Sequence, residues 1–239
     1  VRALRIVDAE EATPELFEAI RLIRGELDGR TAVLGFAGAP FTVASYLIEG
    51  GASRQFTHTK ALMYGEPALW HSLMEKLADT VIASLRAQVA AGVSAVQLFD
   101  SWVGALSPQD YEEFVLPHSR RIFVELADLD VPRIHFGVLT GELLELMRDA
   151  GADVVGVDWR TPMDRAIDRL GDTVAVQGNL DPVVLFAGWD AVERQTRDIL
   201  RRAEGAPGFV FNLGHGVLPQ TDPDILRRLT DFVHEETAR

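Results

Sequence analysis

The sequence predicts an α/β fold built on a parallel sheet, and three observations carry that prediction. Six apolar runs suited to burial on both faces recur along the chain, at 31–38 (TAVLGFAG), 94–100 (SAVQLFD), 131–138 (VPRIHFGV), 152–159 (ADVVGVDW), 173–180 (TVAVQGNL) and 208–215 (GFVFNLGH). Segments of helical periodicity separate them, as parallel pairing through right-handed crossovers requires. The carboxyl ends of the runs read GFAGAPF, LFDSW, FGVLTGE, VDWRTP, GNLDP and NLGHGVLP, rich in Gly, Asp, Asn, Ser, His and Arg, while the opposite loops are short and plain. Parallel sheets and barrels hold their ligands at that end, so the asymmetry points to an enzyme-like face.

In chain order, Leu16, Ala19, Ile20, Ile23 and Leu27 follow helical spacing behind Thr13 and Pro14, which are start signals. The first apolar run then meets a Gly-Ala-Gly-Ala-Pro turn and a helix-like segment carrying Tyr46, ending at Gly50 and Gly51. Those glycines suit a close backbone approach to a ligand, and Pro40 presets the first helical turn. A long helix is expected from Pro67 to Gly92, with an apolar stripe through Leu69, Leu73, Leu77, Val81, Leu85 and Val89. Single helices are expected over 108–129, 141–150, 162–170, 189–205 and 222–238, the last with Pro223 in its first turn. No linker, low-complexity stretch or fixed-length repeat interrupts the pattern, so residues 1–239 are expected to form one domain.

Composition narrows the function. With 239 residues and 47% hydrophobic content, the chain can bury a substantial core. No apolar run approaches the roughly 18 residues of a membrane span, and the start VRALRIVDAEEATPE lacks a signal-peptide core. A soluble, cytoplasmic protein is expected. A formal net charge of -13 argues against nucleic acid or an anionic membrane as partner, although local charge alone decides whether a small anion binds. The absence of cysteine removes disulfides, a thiolate nucleophile, Cys-ligated zinc and iron–sulfur clusters.

Several residues could carry chemistry. His215, between two glycines at a strand end, has its ring presented rather than packed, and suits proton transfer or carboxylate binding. Ser101 is exposed at the site by position and reads as a binding residue. Asp100 could orient a neighbour or cap the following helix. Tyr46 is either a core aromatic with its hydroxyl at the rim or a polar contact to a ligand. Asp158 and Arg160 in DWRTP face the site or, in the favoured reading, pair with each other. His58, His71 and His234 read as solvated, His118 as a helix surface and His135 as a satisfied core residue. His71 and Glu75 lie four apart but without a third ligand, so a metal has little support. No G-x-S-x-G elbow or nucleotide fingerprint occurs.

Taken together, GFAGAPFTVASYLIEGG, LFDSW, VGVDWR, QGNLDP and NLGHGVLPQTDP occur in an order and approximate spacing that resemble the uroporphyrinogen decarboxylase family, over nearly the whole chain. The resemblance implies a (β/α)8 TIM-type barrel, a homodimer, and removal of CO2 from the four acetate side chains of uroporphyrinogen III without metal or organic cofactor. By motif it makes Tyr46 and His215 catalytic or substrate-binding, Ser101 substrate-binding, and Phe99, Gly38 and Pro40 part of the pocket. It also implies that the six runs are the third to eighth strands. An Arg-Gln-Ala-Gly-Arg type motif and a catalytic aspartate of the family are absent from the sequence, so these residues alone are expected to be inactive. Cobamide-dependent methyltransferases resemble the chain in strand order, but their cysteine-ligated zinc site is excluded by composition. A non-catalytic barrel piece with a weak tetrapyrrole or anion site is the other alternative.

Overall fold

A computed structural model describes residues 1–238. In order, its elements are α1 (Ala9–Ala12), α2 (Pro14–Leu27), β1 (Leu34–Gly38), α3 (Pro40–Glu49), α4 (Thr57–Gly65), α5 (Pro67–Ala91), β2 (Ala95–Asp100), α6 (Pro108–Phe114), α7 (Leu116–Glu125), β3 (Arg133–Gly137), α8 (Leu144–Asp149), β4 (Val154–Gly156), α9 (Met163–Leu170), β5 (Ala175–Leu180), α10 (Trp189–Arg202), β6 (Phe209–Leu213) and α11 (Pro223–Thr237). Each strand falls inside one of the six apolar runs. All neighbours pair in parallel, in the order β1-β2-β3-β4-β5-β6.

The sheet is curled. Gln177 on β5 donates from Nε2 to Gln97 Oε1 on β2 at 3.1 Å, across the two strands that separate them. Leu34 on β1 and Val210 on β6, the two end strands, line the same cavity. A flat sheet would hold β1 and β6 about 24 Å apart, at nearly 5 Å per strand. The six strands therefore form an arc of a TIM-type barrel, as expected.

The register assigns every side chain to a face. Val96, Leu98, Val155 and Val176 point outward and join the main core beneath the helices. Phe36, Gln97, Phe99, Phe136, Gln177 and Val210 share the concave side. The largest outward core centres on α5, which buries Trp70, Leu73, Met74, Ala78, Val81 and Leu85, with Trp70 Nε1 donating to Phe114 O at 3.0 Å. Its buried face is rotated from the stripe read in the sequence, and Leu69 is exposed. A second cluster joins β5 and β6 to α10 and α11, and Phe209 packs against both cores.

Three local expectations are corrected. The expected helix 108–129 is two helices broken at Val115, because Pro117 has no N–H to donate back along a continuous helix. α4 was not expected. Its sequence has little periodicity, and it is held by burial of Met63 and by Thr59, whose N–H and hydroxyl both donate to Glu49 Oε1 at 2.9 Å. β4 stops at Gly156, and Asp158 turns its carboxylate to the neighbouring loop instead of extending the ladder.

Candidate active site

The concave face holds a cavity of about 320 Å³ that extends from Leu34, at the start of β1, to His215 and Gly216, past the carboxyl end of β6. Three phenylalanines on adjacent strands form a row on the concave face, and Phe99 and Phe136 of that row line the cavity. Phe36 meets Phe99 edge-on at 5.6 Å, and Phe99 meets Phe136 edge-on at 5.7 Å. Phe99, expected in the pocket, lines this cavity together with His215. Phe36 was missed, though its two-residue alternation with Leu34 and Gly38 places it on the same face as Phe99.

His215 is exposed, and its Nδ1 accepts the Gly216 N–H at 2.6 Å. In the neutral ring the proton then resides on Nε2, ready to be donated. The ring stands edge-on to Trp159 at 6.4 Å between centroids. Gly214 makes this approach possible, since a Cβ there would lie 2.6 Å from Trp159 N. Asp158, buried, accepts from Leu139 N at 2.7 Å, from Arg160 N at 3.0 Å and from Arg160 Nη1 at 2.8 Å. The Arg160 guanidinium also lies 3.9 Å over the Trp159 ring. The favoured ion pair is present, and the carboxylate ties the β3–α8 loop to the loop after β4.

Tyr46, Ser101 and Gly38 collect at the ends of β1 and β2. The Tyr46 ring is 53% exposed and lies against Trp102 at 3.9 Å. Trp102 N donates to Thr42 Oγ1 at 3.3 Å, and Thr42 Oγ1 donates to Asp100 Oδ1 at 3.0 Å. Ser101 is half-buried between those anchors. Gly38 pairs with Phe99 in the ladder, and a Cβ there would meet Val43 Cγ2 at 2.8 Å. Its smallness thus serves the seating of α3. Of the expected residues, Phe99 and His215 share the cavity, while Tyr46 and Ser101 sit on the rim around Trp102 and do not line it.

Four polar residues lie behind the sheet rather than at the site. Asp100 is fully buried on the helix-facing side, so it neither caps the next helix nor faces the cavity. His135 is buried as expected but is not satisfied by protein groups: neither ring nitrogen has a partner, and Nε2 is 3.9 Å from Asp100 Oδ2. Tyr111 joins them, and burial first, then the Asp100 charge, raise its pKa well above 10.0. His118 is buried rather than on a helix surface, because it packs against His71, with Nε2 2.9 Å from His71 Nδ1. His71 is accordingly half-buried, while His58 and His234 are exposed. Among the described residues no group of three or more His, Asp or Glu is arranged to hold a metal, and no helix is long and apolar enough to cross a membrane.

A curled parallel sheet with a lined cavity on its concave face defines a TIM-barrel-type α/β protein. The fold agrees with a solved methyltransferase from Methanosarcina mazei, with a TM-score of 0.81 at 19% identity, covering 94% of this chain and 65% of that one. The sequence profile of the uroporphyrinogen decarboxylase family matches residues 1–236, and the chain belongs to that family. It is 61% identical over 231 residues to the uroporphyrinogen decarboxylase of Salinispora tropica, covering 97% of this chain and 62% of the relative. It is 60% identical over 241 residues to that of Saccharopolyspora erythraea, covering 97% of this chain and 66% of the relative. The chain therefore spans just under two thirds of the length of these relatives.

Proposed function

We propose that this protein, at its full natural length, is a uroporphyrinogen decarboxylase that removes CO2 from the four acetate side chains of uroporphyrinogen III to give coproporphyrinogen III. One observation carries the reading from the geometry: the Phe36–Phe99–Phe136 row on the concave face, of which Phe99 and Phe136 line the same cavity as His215. A cavity lined by aromatic rings favours a ligand with flat apolar parts. Membership of the family and about 60% identity to relatives bearing that name support the substrate.

The chemistry needs no external electron sink. Protonating a pyrrole carbon gives a cationic ring that accepts the electron pair released when the acetate C–C bond breaks and CO2 departs. A second proton converts the resulting exocyclic methylene to methyl, and loss of the proton first placed on the ring carbon restores the pyrrole, so each acetate lost consumes one proton net. The reaction thus calls for proton donors and polar groups for carboxylates. His215 with Nε2 protonated and the Tyr46 hydroxyl serve in those roles, Ser101 binds a carboxylate, and Phe99 and Gly38 flank the macrocycle. A cytoplasmic homodimer acting without metal or organic cofactor completes the proposal.

Anaerobic turnover of uroporphyrinogen III by the full-length protein, followed by chromatography of the oxidised products, tests it. Coproporphyrin is the expected product, and its absence would end this reading. His215→Ala should lower kcat/KM by about a hundredfold, and wild-type turnover in that variant would remove the role given to the ring.

A further inference from the structure

We infer that Arg160 is a preset clamp for a carboxylate of the substrate, held ready by Asp158 and Trp159. The inference deepens the proposed function and rests on it for the identity of the anion.

Three features of the guanidinium lead there. First, it is immobilised before any ligand arrives, by the 2.8 Å bond from Nη1 to the buried Asp158 carboxylate and by stacking 3.9 Å over Trp159. Ordering a long side chain is a main cost of using arginine for recognition, and here the fold has already met it. Second, its donors are mostly uncommitted. An arginine side chain has five N–H donors, and among the described residues this one makes a single hydrogen bond while remaining 42% exposed. The Asp158 carboxylate also accepts two backbone N–H groups, which fix it in place as the anchor. Third, the Trp159 ring beneath it stands edge-on to His215, which lines the cavity. Gly214 lets these loops touch.

The contrast with the helix layer is direct. Arg169 is bidentate to Glu145, Arg202 is shared between Asp164 and Asp198, and Arg133 grips Asp153 with two nitrogens. Those pairs use up their forks in joining one helix or strand to the next. Arg160 spends one donor on its anchor. In a chain of net charge -13, an anionic substrate needs such a local cation to overcome the overall field. The geometry of the free fork matches a carboxylate, which it can hold through two parallel hydrogen bonds.

Full-length wild type, Arg160→Gln and Arg160→Met should be compared in anaerobic kinetics with uroporphyrinogen III at two ionic strengths. Binding of uroporphyrin, the oxidised octacarboxylate, should be followed in parallel by quenching of tryptophan fluorescence. The Met variant keeps the apolar stem over Trp159, so a folded comparison survives if Gln disturbs the loop. Loss of one charged clamp should raise KM and Kd about tenfold with kcat within about twofold, and should flatten the salt dependence of KM. A folded variant with wild-type KM, Kd and salt dependence would overturn the clamp. A fall in kcat at unchanged KM would also overturn it, since a clamp on the bound substrate acts through KM. Wild type that binds uroporphyrin without turnover would overturn the proposed reaction instead, and the Kd comparison would still decide the clamp. Wild type that neither binds nor turns over would overturn both.

Discussion

On the concave face of the sheet Phe36 is 63% exposed and Val210 48%, whereas on the helix-facing side Asp100 and His135 have no accessible surface at all. Apolar side chains in the open and polar ones in the core reverse what each prefers in water. Each departure from preference has a different meaning. Both exposed side chains belong to the end strands of the arc, Phe36 to β1 and Val210 to β6. The buried polar groups cost desolvation, and they repay part of it by tying layers together, as when Thr42 bonds Asp100 and receives Trp102 N. One side of the sheet is organised for binding and the other for holding the binding residues still.

The sharpest way to break this contrast is to truncate one residue on each face. Leu98, buried on the helix side, should lose about 3 kcal/mol of stability on replacement by Ala. Phe36→Ala should lose less than about 1 kcal/mol while raising the Kd for uroporphyrin in the full-length protein. Urea unfolding of both variants decides it, and equal losses would erase the distinction between the faces.

A slightly smaller effect probes how dry the helix layer is. Burial, then the charges of His71 and Arg121, lower the His118 pKa from 6.5 to about 4. The folded protein thus refuses a proton that the unfolded chain accepts. Stability is full above about pH 6.5, falls as the pH drops towards 4, and levels below it, over a span of about 2 to 3 kcal/mol. Unfolding midpoints of wild type and His118→Gln across that window should converge as the pH falls. If the two show the same slope, the imidazole pair is open to water and the layer is wetter than its packing implies.

Smallest is the link between the faces. Thr42→Val keeps the shape but leaves Asp100 Oδ1 and Trp102 N without their partner, at about 1 to 2 kcal/mol. The near-ultraviolet signal of Trp102 against Tyr46 should weaken with it. An unchanged spectrum would detach the buried network from the rim.

Much of this was legible in the residues. Strand positions followed from apolar runs, and the carboxyl-end motifs identified the working edge, because helices and strands impose periods that side chains must match. The Asp158–Arg160 pair was readable from a spacing of two. Other features depend on contacts between distant segments. The His71–His118 contact joins residues 47 apart and reverses the solvated reading of both. Helix α4 forms because Glu49 receives Thr59, not because its own sequence insists on it. Phe36 is legible from its alternation with Leu34 and Gly38, which places it on the face of Phe99.

By itself, then, the sequence determined that the chain forms a parallel α/β sheet, which edge of it carries the polar motifs, and to which family those motifs belong. Those are properties of local period and residue identity. Tertiary structure alone decided which side of each strand faces the cavity, that Asp100 lies behind the sheet while Phe36 stands in the open, and that Arg160 is anchored on Asp158 and stacked over Trp159. Parity along a strand says that neighbouring side chains point to opposite faces, and only the curl and register of the assembled sheet say which face encloses the ligand.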